Sequence, residues 1–315
     1  APEGALDGPG ARRGRCRRDG PRPRMKAHLA DLLELTKPRI TVFVVLTAFL
    51  GFAAGTQGPL AGIDAVLLFH TLLGTALVAS GTSAFNEIAE VDLDRRMART
   101  ATRPLPAGRL PLAEAIAFAL LLSLLGVGEL WYFANGVTAF LAALTLTSYV
   151  FVYTPMKTRS PVSTIVGAVP GALPPLGGYT AAAGAIGAPG LALFGILFLW
   201  QMPHFYAIGW RHREDYGAAG FRILSTVDPT GRSSARHALA FGLLLVPVSL
   251  LPTFLGTAGL AYGAGALLLT AWFAGTAIRF YRETTDAAAK SMFLASIAWL
   301  PAIVVLLLVD RVAGG

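Results

Sequence analysis

Nine apolar runs, each near the ~20 residues that carry an α-helix across a bilayer's hydrocarbon core, constrain this chain more than any single motif. They fall near 40–54, 64–85, 112–131, 136–153, 163–183, 190–209, 236–255, 260–279 and 291–309. With 54% hydrophobic residues, 14% charged and a mean hydropathy of +0.59, the balance lies far from that of a soluble domain. The spacing predicts an all-α polytopic membrane protein, a bundle of nine transmembrane helices. The fourth and fifth runs, 136–153 and 163–183, carry the weakest signal, being closely abutted or, as at Gly167, Pro170, Gly171, Pro174, Pro175, Gly177 and Gly178, rich in Gly and Pro.

Charge placement supports that count. Loops retained on the cytoplasmic side of a membrane collect Lys and Arg. With the amino terminus inside, the inner loops hold Arg95 to Arg109, Lys157 and Arg159, Arg211 to Arg236, and Arg279 to Lys290, whereas the connections at 55–63, 132–136, 184–189 and 256–262 contain no Lys or Arg. A multi-pass protein of the cytoplasmic (inner) membrane, amino terminus cytoplasmic, is the expectation. The formal charge of +8 and pI near 10.0 are then explained by topology and anionic headgroups, with membrane lipid as partner and no nucleic acid. Residues 1–24, rich in Arg, Gly and Pro, read as a disordered extension, and 25–315 as a single membrane-embedded domain. The extension lacks the apolar stretch of a signal peptide. The lone Cys16 excludes an internal disulfide or a cysteine metal cluster.

Chemistry concentrates where the second span ends. Asn86, Glu90 and Asp94 recur every four residues, and on a helix each such step turns by only about 40°. They share one face, and Asp92 falls off it. Three oxygen-bearing side chains stacked over two turns suit a hard cation such as Mg²⁺. Arg95, Arg96, Arg99 and Arg103 follow at once. Carboxylates beside arginines at the end of an oily helix point to a metal-bound, multiply charged anion attached to something greasy. The plainer reading is a solvated loop with salt bridges between neighbouring turns.

Two further polar clusters belong to the same membrane face. Tyr153-Thr154-Pro155-Met156-Lys157-Thr158-Arg159 closes a helix with a short basic loop, where Lys157 and Arg159 suit phosphate oxygens or simple positive-inside bias equally. Trp200-Gln201-Met202-Pro203-His204-Phe205 leads into His212, Glu214 and Asp215. If the helix continues past Pro203, then His204, His212 and Asp215 lie within roughly 80° of one another, and Asp215 is the better ligand candidate. A histidine within an apolar span is a functional-site hypothesis, although an interfacial imidazole bonded to a neighbouring carbonyl is the plainer alternative. No zinc-hydrolase spacing is present.

The ladder continued through Met97, Arg99-Thr100 and Arg103-Pro104-Leu105, together with Trp200-Gln201-Met202-Pro203-His204-Phe205 and Asp215-Tyr216, resembles the protohaem IX farnesyltransferase (haem O synthase) family of UbiA-type intramembrane prenyltransferases. The likeness runs from about Leu35 to the last helix. It implies a nine-helix bundle whose central cavity opens near the cytoplasmic face, and transfer of a farnesyl group from farnesyl diphosphate to a vinyl group of haem B with addition of water. It implies Mg²⁺ as cofactor on Asn86, Glu90, Asp94 and Asp215, the catalytic set. Arg99, Arg103, Lys157, Arg159, Tyr153 and His204 become substrate-binding residues, with His204 orienting the haem or ligating its iron. A downstream haem A synthase is the implied protein partner. Two departures stand out: Glu90 occupies a position where Asp is common, and the second acidic motif is reduced to Glu214-Asp215.

Two other classes compete. A prenyltransferase of a quinone or chlorophyll-type acceptor would keep the metal site and change the acceptor pocket. A transporter would spread its intramembrane charges along a pathway, whereas these cluster at one face.

Overall fold

The structure is a computed structural model that describes residues 24–56 and 62–314. The expected extension at 1–24 therefore lies almost wholly outside the described residues. Every regular element among the described residues is helical. A short amphipathic helix α1 (Arg24–Leu35) precedes nine long ones: α2 (Pro38–Gly55), α3 (Ala65–Ala89), α4 (Leu112–Ala134), α5 (Gly136–Met156), α6 (Ser163–Ala183), α7 (Ala188–Arg211), α9 (Arg232–Phe254), α10 (Leu260–Glu283) and α11 (Asp286–Gly314). A two-turn helix α8 (Arg213–Ala219) follows α7. Eight of the nine are long and apolar enough to cross a membrane. This is a multi-pass membrane protein, and the nine expected runs each became one helix.

Local chemistry sets the helix ends. Asp64 caps α3 by accepting from the Val66 and Leu67 amides, both at 3.0 Å, and Asn135 caps α5 by accepting from the Thr138 amide at 2.9 Å. Pro38 opens α2 at a position where its missing N–H costs nothing. Gly184 ends α6 at φ 78°, and Gly220 ends α8 at φ 87°, conformations that glycine adopts without penalty.

The ninth helix, α6, falls short of the other eight in hydropathy because it is built of Gly, Ala, Thr and Pro, and it is instead an interior element. It packs against α2, α5 and α7. At Gly51 of α2 an added Cβ would strike the Pro175 carbonyl oxygen, and at Gly178 of α6 the Ala48 carbonyl oxygen. The glycines thus let the two backbones touch, the usual basis of close helix packing in membranes. Some polar side chains inside the bundle pair across helices: Thr138 with Thr180 at 2.9 Å joins α5 to α6, and the Trp299 indole donates to Thr270 at 3.2 Å between α11 and α10. A second packed region joins α7, α9, α10 and α11 around Met202, Tyr262, Phe273, Phe280 and Trp299.

Consecutive spans alternate in direction, so the start of α2, the end of α3, the end of α5, the start of α6 and the end of α7 meet at one face. Helix α1 is tied there as well. Leu35 packs with Ala84, Leu105 and Leu110, while Arg109 reaches Asp31 at 3.0 Å and Glu34 at 3.5 Å.

Candidate active site

Where α3 ends, the expected ladder is present. The helix stops at Ala89, Glu90 is its C-cap, and Val91–Asp94 forms a separate turn. The four-residue register nevertheless survives the break, because the Glu90 amide bonds the Asn86 carbonyl at 3.1 Å and the Asp94 amide bonds the Glu90 carbonyl at 2.8 Å. Asn86, Glu90 and Asp94 are all buried and line one cavity of about 170 Å³. Asp92 points away, its side chain 76% exposed and paired with Arg95 at 2.8 Å.

Each rung of the ladder carries its own cation. Lys37 donates to the Asn86 side-chain oxygen at 3.0 Å, Lys157 to Glu90 at 2.6 Å, and Arg103 to Asp94 at 2.8 Å. The Lys157 ammonium also sits 4.6 Å from the Tyr153 ring centroid and 5.9 Å from that of Tyr149. A π-helical stretch at Ser148–Tyr153 closes α5 and carries both tyrosines. Such stretches recur at functional sites. Burial works against the Lys157 charge, but Tyr153, Glu90 and Tyr149 together outweigh it and raise its pKa. Lys37 goes the other way. Burial is the largest influence, and with Arg103 and Lys157 it overcomes the pull of Glu87 and Glu90, lowering the ammonium to about 8. Its backbone is left-handed at φ 47° and ψ 62°, unusual for a lysine, and this directs the chain into Pro38.

Arg99 also lines the cavity, so the lining cations, Lys37, Arg99, Arg103 and Lys157, outnumber the lining carboxylates Glu90 and Asp94 by four to two. That excess suits a polyanion. The oxygen donors of Asn86, Glu90 and Asp94 fit a hard cation in chemistry and in sharing one cavity. Among the described residues, no three His, Cys, Asp or Glu side chains are gathered closely enough to hold a metal by themselves. The carboxylates are drawn to basic partners instead.

Of the residues expected from sequence, Asn86, Glu90, Asp94, Arg99, Arg103, Tyr153 and Lys157 converge here. Three do not. Arg159 is exposed in the loop after α5 and is not among the cavity's lining residues. Asp215 lies off the lining, half-exposed and 4.0 Å from His212, because α8 turns Tyr216 rather than Asp215 to the cavity. His204 packs between Trp200 and Phe293, with ring centroids at 5.3 and 5.2 Å, and its Nδ1 meets the Ser296 hydroxyl at 2.7 Å. The neighbouring Phe205 takes the cavity side.

The ladder argument passed over Lys37 and Glu87. Glu87 is 1% exposed, with Oε1 at 3.9 Å from Lys37 and 3.7 Å from Arg103 and with Oε2 unpartnered. The available signal was the basic Lys37-Pro38-Arg39 at a span boundary and a second carboxylate beside Asn86, off the shared face.

Acidic and basic side chains thus interlock around one cavity at one end of a bundle of membrane-spanning helices, and the chain belongs to the UbiA prenyltransferase family, whose model matches residues 44–297. Relatives that match over most of this chain include protoheme IX farnesyltransferases. The protein from Solibacter usitatus is 46% identical, the match covering 90% of this chain and 99% of the relative. That of Salinibacter ruber is 48% identical with the same two coverages. The mitochondrial protein of Arabidopsis thaliana is 38% identical over 89% of this chain and 64% of its own length. The fold is shared with a digeranylgeranylglyceryl phosphate synthase (TM-score 0.78, 19% identity, 91% of this chain and 99% of the other). It is shared also with a UbiA homologue from Archaeoglobus fulgidus bound to GPP and Mg²⁺ (TM-score 0.63, 14% identity, 88% and 99%).

Proposed function

We propose that this protein transfers the farnesyl group of farnesyl diphosphate to a vinyl group of haem B, with addition of water, giving haem O and diphosphate. The observation that carries the reading is the interlocked ladder: Asn86, Glu90 and Asp94 line one cavity with Lys37, Arg99, Arg103 and Lys157. The names of the relatives supply the substrate pair.

The diphosphate is received by the four cations. Arg103 and Lys157 are shared with Asp94 and Glu90, so a bound polyanion competes with those carboxylates and frees their oxygens. Asn86, Glu90 and Asp94 would then hold Mg²⁺, as a relative's structure with GPP and Mg²⁺ suggests. When bound, that ion offsets negative charge on the departing diphosphate. Breaking the allylic C–O bond leaves a farnesyl cation, and the Tyr153, Phe205 and Tyr216 rings of the cavity offer it π faces. The haem vinyl group attacks that cation through its terminal carbon. The carbocation left beside the porphyrin takes up water and releases a proton.

The test uses membranes containing the full chain, supplied with haem B, farnesyl diphosphate and Mg²⁺, with extracted haems resolved by chromatography and mass. A product heavier than haem B by one farnesyl unit plus water supports the reading, and haem B alone rejects it. Positive-inside bias supports reading the charged loops, and this site with them, as cytoplasmic, with the amino terminus inside. Single cysteines at 98 or 218 should resist an impermeant reagent applied from outside, and one at 186 should react; the reverse pattern rejects the orientation.

A further inference from the structure

The cavity lining divides by the segments that supply it. Charged groups come from Lys37, from α3 and the loop after it, and from the end of α5. Apolar groups come mainly from α7 and the segment beyond it, Phe205, Ile208, Phe221 and Ile223, with Met97 of the loop after α3 the exception. Ser163 and Thr164 also line the cavity, and they are the first residues of α6.

Ser163 is 0% exposed, and its hydroxyl has no hydrogen-bond partner. Buried hydroxyls are ordinarily paired, and in a helix the carbonyl of the preceding turn is the ready acceptor. Ser163 uses neither. The Ser160 and Val162 carbonyls already take the Ser163, Ile165 and Val166 amides, so what the amino end of this 21-residue helix leaves unsatisfied beside the cavity is the buried Ser163 hydroxyl. A helix amino terminus carries partial positive charge, and together with a free hydroxyl it selects an anionic oxygen. The carboxylates of the cavity do not supply one, since Glu90 is bound by Lys157 and Asp94 by Arg103.

We propose that Ser163, at the amino end of α6, binds a carboxylate of the acceptor substrate; this rests on the reading of that acceptor as haem B. Haem is a flat apolar ring carrying propionate carboxylates. Phe205, Ile208, Phe221 and Ile223 offer the ring its apolar surface, and Ser163 offers a propionate its hydrogen bond. The diphosphate already has four cations. Ser163 is thus a specificity-determining residue: it favours an acceptor bearing a carboxylate over a neutral ring of similar size.

The experiment titrates the full chain in lipid nanodiscs with haem B, with its dimethyl ester in which both carboxylates are capped, and with farnesyl diphosphate. Haem binding is followed by the Soret band. Wild type should prefer haem B to the ester. Ser163→Ala should weaken haem B binding about tenfold, the scale of a hydrogen bond to a charged group, and leave the ester and farnesyl diphosphate unchanged. Ser163→Cys guards against misfolding, because its thiol fills the same buried space yet donates only weakly. It should fold as wild type does, by thermal melting, and lose haem B affinity as the Ala variant does, with none lost for the ester. Equal weakening of haem B and ester, or no change in either, overturns the proposal, and so does a loss confined to farnesyl diphosphate, which would give Ser163 to the diphosphate. Wild type that binds neither porphyrin, and makes no farnesylated haem in the membrane assay, instead overturns the acceptor reading beneath it.

Discussion

Lys157 donates to Glu90 at 2.6 Å across a separation of 67 residues, so the middle carboxylate of the ladder is held by the basic loop that closes α5. Both side chains are largely buried, 13% and 8% exposed. Removing one partner strands the other, and breaking such a pair costs about 3–5 kcal/mol. Lys157→Met should therefore lower thermal stability and turnover together. Combining it with Glu90→Gln should restore most of the stability, because no buried charge is then unpaired. Turnover should stay about 10²-fold down, the scale on which oriented charge stabilisation is lost. Restored turnover in the double variant would make the pair purely structural.

Asp94 and Asp92 are two residues apart and differ in every relevant respect. Asp94 is 1% exposed and takes a 2.8 Å bond from Arg103, while the Asp92 side chain is 76% exposed. Asp94→Asn keeps the size of the side chain and removes its charge, and should reduce turnover roughly 10²-fold or more. Asp92→Asn should change it less than twofold, since an exposed pair contributes about 0–1 kcal/mol. Steady-state rates on matched membranes decide, and equal losses would reject the shared-face argument.

What the sequence made legible follows from periodicity. Apolar runs near the bilayer thickness located all nine long helices, and a four-residue register located Asn86, Glu90 and Asp94, because both depend only on helix geometry. Asp215 and Arg159 fall outside the cavity lining, a placement that depends on where a helix breaks. The turn at His212, φ −116°, starts a new helix and resets the face, and no residue in that stretch announces the change. Glu87 was missed for a related reason: it lies off the ladder's face and acts through Lys37 and Arg103, contacts made only in three dimensions.

His204 now carries a structural expectation. It is sandwiched by Trp200 and Phe293 and bonded to Ser296 on α11. His204→Ala removes that bond and the stack between α7 and α11 while Ser296 keeps its bond to the Phe293 carbonyl, and should cost about 1–3 kcal/mol through the lost bond and ring packing. Thermal melting should fall while the ratio of haem B to farnesyl diphosphate affinity stays as in wild type. A selective loss of haem B affinity would return His204 to the acceptor site.

Asp228 provides a pH test outside the spans. Its carboxylate accepts from the Thr230 hydroxyl at 2.6 Å, the Thr230 amide at 3.0 Å and the Ser233 amide at 2.8 Å, organising the turn before α9. The Thr230 hydroxyl is the largest influence and the Ser233 amide the next, and they hold the acid well below the usual carboxylate range. A depressed folded pKa means the stabilisation is fully present above the unfolded value near 3.8 and is lost as pH falls through the folded one. Asp228→Asn should thus lie below wild type in melting temperature by a constant margin from pH 7 to 5, and the margin should shrink below about pH 4. A margin independent of pH would assign the effect to side-chain shape.

Glu87 yields the sharpest division between binding and chemistry. It is not among the cavity's lining residues, yet it is 1% exposed and 3.9 and 3.7 Å from Lys37 and Arg103, two of the cations proposed to receive the diphosphate. A buried carboxylate at those distances acts as a common counter-ion, while Lys37 is also held by Asn86 at 3.0 Å and Arg103 by Asp94 at 2.8 Å. Glu87→Gln keeps the shape and one hydrogen-bonding oxygen while releasing both cations from their shared partner. Less precisely aimed, they should bind diphosphate more weakly: KM for farnesyl diphosphate should rise about tenfold, the equivalent of 1.4 kcal/mol, with kcat changed less than threefold and KM for haem B unchanged. Glu87→Asp, retaining the charge on a shorter stem, should recover part of the loss. If Glu87 were only a packing residue, its Gln variant would lower melting temperature and leave both KM values alone, and if it took part in the chemical step, kcat would fall with KM unchanged.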